Sequence, residues 1–128
     1  MFKLLSLVLL VGAVTFALEV KKVDIQPTPA DSGQAMYKAY CATCHGAAGK
    51  GDGPAVSALK KRPADLTQLA RKHNGKFPEG EVMNVIHDGT HEMPVWGTLF
   101  RSLDTDKEDV SKIRIRVLEE YIKSLQAR

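Results

Sequence analysis

Cys41-Ala42-Thr43-Cys44-His45 constrains this chain more than any other stretch. Two thiols followed directly by an imidazole, in the order C-x-x-C-H, form the attachment site of a c-type haem, with both sulfurs bonded to the porphyrin edge and the histidine on iron. If the segment ends a helix, the spacing has a physical reason. Cys41 and Cys44 are three apart and Cys41 and His45 four apart, so all three side chains leave one face.

Other chemistries use the same residue types. A C-x-x-C pair serves thioredoxin-like redox centres, but those want a βαβ setting, and here the flanks read as helix and then a glycine-rich run. His87-x-x-x-His91 would complete a Cys2His2 zinc set, yet 42 residues separate Cys44 from His87, against roughly 12 to 15 in a zinc finger. Iron–sulfur clusters generally need more thiolates than two cysteines supply. A disulfide across two intervening residues closes too small a loop to stabilise much. Haem attachment is the leading reading, with thiol chemistry and zinc behind it.

Residues 1–17 carry one charge, Lys3, and residues 4–18 are apolar apart from Ser6 and Thr15. This reads as a secretory signal cleaved after Ala17. The run falls short of the ~20 residues of a spanning helix, which leaves an uncleaved membrane anchor as the alternative. Export to the periplasm takes the cysteines out of the reducing cytosol, where attachment to haem fits better than redox cycling. Residues 18–30, with Pro27 and Pro29, read as a flexible leader, and residues 31–128 as one domain. Removing 17 residues from 128 leaves 111, enough for one core and not two. Nothing in the residual charge, 17 basic against 15 acidic side chains, suggests nucleic acid. The charge is uneven, however: residues 60–76 hold six basic groups against Asp65, and residues 77–109 hold eight acids against Arg101 and Lys107. Such a dipole orients diffusing partners, although solvated faces explain it equally well.

The remaining pattern is helical. Asp31 or Ser32 starts a first helix, Asp31 pairing with Gln34 as in a capping box, and Gly33, Tyr37, Tyr40 and Cys41 share a stripe. The glycine-rich run that follows, residues 46–54, lacks the preceding strand and the Ser or Thr of a phosphate loop; its glycines let backbone pass close under a flat macrocycle. A ligating imidazole needs its second ring nitrogen to donate to a fixed acceptor. The carbonyl of Pro54 is the expected acceptor and that of Pro63 the second choice. Residues 55–61 read as a short helix with Val56 and Leu59 inward. Asp65 with Gln68 caps the next turn, residues 66–72. A helix from Glu79 or Glu81 to Asp88 turns Val82, Val85 and Ile86 inward and is closed by Gly89. Residues 90–104 read as a loop. A last helix runs from near Thr105 to about Gln126, with Val110, Ile113, Val117, Leu118, Tyr121, Ile122 and Leu125 at helical spacing. Five helical pieces without an alternating strand pattern make the fold class all-α.

The sixth iron ligand decides the chemistry. Met36 and Met83 fall within helices and read as core filler. Met93 differs, because Pro94 pushes it into extended backbone from which it can reach iron on the side opposite His45. His91, two residues away, is its rival, while His73 and His87 read as surface groups.

Together these features resemble class I (mitochondrial-type) cytochromes c, above all the small bacterial periplasmic monohaem members. Cys41, Cys44 and His45 match the attachment motif, and Met93-Pro94-Val95-Trp96 the distal loop. Gly33, Tyr37, Leu118 and Tyr121 match the contact between first and last helices. The resemblance spans residues 31–126 and implies about five short helices around one covalent haem c, with Cys41 and Cys44 holding the porphyrin and His45 and Met93 the iron. It implies wall roles for Trp96, Leu59, Leu66 and Leu99, and a propionate partner in Arg62 or Lys61. The activity implied is that of a single-electron carrier, not an enzyme, passing electrons between exported or membrane redox proteins. Its partners are redox donors and acceptors, membrane-bound respiratory complexes among them, with the chain a monomer or a subunit of a redox complex. The lysine ring around the haem edge of mitochondrial members has no equivalent here. Two alternatives stay open: an electron-transfer subunit of a larger oxidoreductase, and a haem sensor or peroxidase-like protein in which Met93 is not on iron.

Overall fold

The computed structural model describes residues 27–90, 92–104 and 108–127. The expected signal, residues 1–17, and residues 18–26 of the expected leader lie outside them. Ser32 rather than Asp31 opens α1 (Gly33–Met36), its hydroxyl accepting the Ala35 N–H at 3.2 Å. The helix then widens into a π-helical stretch (Tyr37–Cys41) and tightens again as α2 (Ala42–His45). Such wide turns concentrate at functional sites, because they rotate one side chain out of helical register. Here the wide turn ends at Cys41.

Beyond the glycine-rich loop come a 3-10 turn (Val56–Ala58) and a second one (Leu66–Gln68), which Asp65 caps by accepting the Thr67 N–H at 2.9 Å. The second leads into α3 (Leu69–Lys72). After it follow α4 (Glu79–Asp88), α5 (Trp96–Leu103) and α6 (Glu108–Ser124). The described residues form no strand, and the fold is all-α. No helix among them is long and apolar enough to cross a membrane.

The core comprises Met36 and Tyr37 at the start, Phe77, Val82 and Ile86 around α4, Phe100 on α5, and Ile115, Leu118 and Ile122 on α6. Its centre is the crossing of α1 with α6. A Cβ at position 33 would sit 2.5 Å from the Val117 carbonyl oxygen and 2.7 Å from Tyr121 Cβ, so only glycine permits that approach. The rings of Tyr37 and Tyr121 fill the space beside it, centroids 5.2 Å apart.

Three local expectations change. The segment read as one loop, residues 90–104, contains α5. Its Trp96 and Phe100 rings lie four residues apart on one side, stacked with centroids 5.5 Å apart, and Phe100 is fully buried. The short helix over residues 55–61 shrinks to one 3-10 turn, because Leu59 is extended and the next two N–H groups donate elsewhere. On α6 the inward face is rotated: Ile113 is 49% exposed, whereas Ser111, Arg114, Ile115 and Glu119 are buried.

Arg114 tolerates burial because it is fully engaged. Its guanidinium donates to both oxygens of Asp104, at 2.6 and 2.9 Å, and to the Thr28 carbonyl at 2.7 Å. Thr28, placed in the flexible leader by the sequence, is thus pinned, and its Oγ1 also donates to the Tyr40 hydroxyl at 3.0 Å. The other end is fastened too. The Gln126 amide accepts the Ala70 N–H at 2.9 Å and donates to the Leu66 carbonyl at 2.7 Å, and the Ala127 N–H reaches the Thr67 carbonyl at 2.8 Å.

Candidate functional site

Helix α2 ends at His45 and leaves carbonyls that need donors. The loop after it folds back along the motif and supplies them in steps of two residues: Ala55 N–H to Thr43, Gly53 to Cys44 and Gly51 to His45, at 3.0, 3.2 and 2.8 Å. The buried Tyr37 hydroxyl donates to the Gly46 carbonyl at 2.8 Å, fixing the exit of the helix from below. Leu66 N–H to Gly49 carbonyl, 2.7 Å, then lays the following segment onto the glycine loop.

That segment provides the acceptor for the histidine. His45 Nδ1 lies 3.3 Å from the Ala64 carbonyl oxygen. A carbonyl only accepts, so Nδ1 carries the proton and Nε2 presents a lone pair. Burial pushes the imidazolium below its ordinary range, with the Ala64 bond opposing; the neutral ring is the form that binds metal. The expected acceptor, the Pro54 carbonyl, is therefore corrected to Ala64, the residue after the second choice, Pro63. Pro54 is exposed, on a turn whose neighbours Gly53 and Ala55 already serve α2. Arg62, expected at a propionate, uses its Nε to donate to the Gly51 carbonyl at 3.1 Å.

Cys41 and Cys44 are free thiols, both half-buried. Burial first, and the neighbouring Cys44 second, push the Cys41 thiol up to about 12.

Met93 stands on the far side of the sequence. Gly89 closes α4 at φ +69°, and a Cβ there would lie 2.6 Å from the Met93 carbonyl oxygen. The chain can therefore fold back at once, and the Thr90 N–H closes a turn on the Met93 carbonyl at 3.1 Å. Met93 is half-buried against the core. Trp96 is half-buried as well, with its ring 5.4 Å from that of Tyr40, the residue before Cys41. This aromatic contact joins the distal segment to the attachment helix. Leu59 and Leu66 are half-buried, whereas Leu99 is 44% exposed on a stripe with Val95 and Leu103.

Of the other ligand candidates, His91 lies outside the described residues. His73 is engaged by the Leu69 carbonyl and Glu81, and His87 by Asp88. Among the described residues no three His, Cys, Asp or Glu side chains gather as a metal-binding group. Sequence reasoning missed Ala64, Glu92 and Arg114. The first acts through a backbone atom and carries no side-chain signal; the other two stand in no motif.

The model of the family described as "Cytochrome C oxidase, cbb3-type, subunit III" matches residues 28–112. The chain belongs to this family of class I c-type cytochromes. No curated protein matches it. The match begins at Thr28, the first residue that the Arg114 clamp holds. As a c-type cytochrome the chain takes a covalently bound haem c with its iron. The donor set fits that group: two unbridged thiols three apart, a neutral imidazole oriented by Ala64, and a loop whose backbone is committed to the motif.

Proposed function

We propose that the chain carries single electrons between exported or membrane redox proteins, with the haem attached at Cys41 and Cys44 and its iron held by His45 and Met93. When bound, the haem supplies a one-electron Fe(III)/Fe(II) couple. The protein's own part is positional. Ala64 holds His45 in one tautomer, the folded-back turn presents Met93, and the Tyr40, Trp96 and Phe100 rings pack the distal segment onto the attachment helix. The observation that carries the reading is His45 seated neutral on Ala64 at the end of a thiol-bearing helix, in a chain of c-type cytochrome family. His45 and Met93 together would occupy both positions on a haem iron, as an electron carrier rather than a catalyst requires. Trp96 serves as haem wall and Arg62 steadies the loop beside a propionate. Residues 1–17 direct export to the periplasm.

A second reading has support of its own. The family description names an oxidase subunit, and the same site would serve equally as the haem c subunit of a larger oxidoreductase. Co-purification with a larger complex from the native membrane separates the two.

The test of the ligand assignment is an oxidised and a reduced absorption spectrum of protein made in a host competent for haem c attachment. Haem c bands together with the weak far-red band of ferric iron on methionine sulfur are expected. That band should vanish in Met93→Ala and persist in His91→Ala. Haem without the band moves the sensor or peroxidase-like reading ahead.

A further inference from the structure

Residues 60–64 form a strap that touches both halves of the site. At one end the Ala64 carbonyl orients His45. At the other, the N–H groups of Lys60 and Lys61 donate to the two oxygens of a single carboxylate, Glu92, at 2.8 and 3.0 Å. Arg62, bonded to the Gly51 carbonyl, fixes the strap between them. Both N–H groups lie past the 3-10 turn, where Leu59 is already extended, so no helix claims them. Glu92 is exposed, and its side chain directly precedes Met93 inside the turn closed by Thr90.

An exposed carboxylate on two backbone donors contributes little to overall stability, but charge-assisted pairs of this kind are directional. Here they join segments more than thirty positions apart in the chain. We propose that Glu92 is a positioning residue: its carboxylate latches the Met93 turn onto the strap that seats His45, and so keeps the distal side of the iron closed to outside ligands. This rests on the His45 and Met93 assignment made above. The latch is specific to a carboxylate of this length. Glutamine offers one acceptor and turns an N–H2 toward the second donor, and alanine offers nothing.

The experiment uses haem-loaded wild type, Glu92→Gln, Glu92→Ala and, as a site-remote destabilised control, Ile122→Val. Amide hydrogen exchange at Lys60 and Lys61 and the rate of imidazole binding to the ferric protein are measured on each. Glu92→Ala should raise both by roughly tenfold, the worth of one to two net hydrogen bonds. Glu92→Gln should fall between, and Ile122→Val should leave imidazole binding as it is. Unchanged exchange at Lys60 and Lys61, faster exchange with unchanged imidazole binding, or equal acceleration in Ile122→Val would each overturn the latch. A wild-type ferric spectrum without the far-red band would overturn the Met93 assignment and with it the latch's role at iron; that failure shows before any substitution is made.

Discussion

The two halves of the site are built from different materials. On the His45 side the chain largely holds itself: alternate backbone N–H groups at Gly51, Gly53 and Ala55 meet successive carbonyls of α2, and the imidazole rests on a backbone carbonyl. On the Met93 side one backbone bond closes the turn, and side chains tie it to the rest of the molecule: the Glu92 carboxylate, the Trp96 ring on Tyr40, the Ser111 hydroxyl on the Gly97 carbonyl, and the Arg114–Asp104 pair at the end of α5. Away from its glycines, where a Cβ would strike backbone, a backbone ladder is indifferent to most substitutions. A set of side-chain contacts is not, so the Met93 side is where sequence change would tune or loosen the centre.

The largest break of this contrast should come from Arg114→Met. It removes the buried guanidinium that bonds both oxygens of the half-buried Asp104 and the Thr28 carbonyl, and breaking a buried pair costs on the order of 3–5 kcal/mol. Urea unfolding of the haem-loaded protein measures it, and the far-red band should be lost at lower urea than the overall helical signal. Gly89→Ala comes next. It forces an alanine to φ +69° with its Cβ against the Met93 carbonyl, a strain of about 1–3 kcal/mol. The spectrum should lose the far-red band while thioether attachment at Cys41 and Cys44 persists.

Tyr37→Phe sharpens the contrast from the other side. Removing the donor to the buried Gly46 carbonyl should cost about 1–2 kcal/mol in thermal unfolding and leave the far-red band intact. The smallest effect belongs to neither half. Glu119 is buried on α6 with its Oε1 unpartnered among the described residues, and burial, then Glu79, push its carboxyl above the ordinary glutamate range. A raised folded-state value means that folding favours the protonated form. Stability should therefore fall as pH rises from the ordinary glutamate value through the raised one. Glu119→Gln should remove that slope and gain about 1 kcal/mol at neutral pH in urea titrations.

What the sequence made legible follows the same division. The all-α class and the end of α4 at Gly89 were readable because each rests on a residue type with a local physical reason, whereas the crossing of Gly33 and Tyr37 on Tyr121 came with the family resemblance. Helix α5 was not readable. Met93-Pro94 demands an extended segment, and that demand masked the Trp96 and Phe100 spacing just after it. Ala64 was invisible because any residue can lend a carbonyl. Arg114 stands in no motif, and only its acceptors, the Asp104 carboxylate, the Thr28 carbonyl and the Met36 sulfur, explain why it points inward.

The crossing at Gly33 has one more consequence. Positions 33 and 117 meet there, and the glycine loop, the strap, α4 and the Met93 turn all lie within the loop of chain that this contact closes. Closing a loop of that length carries an entropic cost, and the contact of the first helix with the last helps to offset it. A fragment ending before α6 keeps Cys41, Cys44, His45 and Met93 but loses Val117 and Tyr121, the surface on which the first helix closes. The centre is a property of the closed chain as well as of its motif.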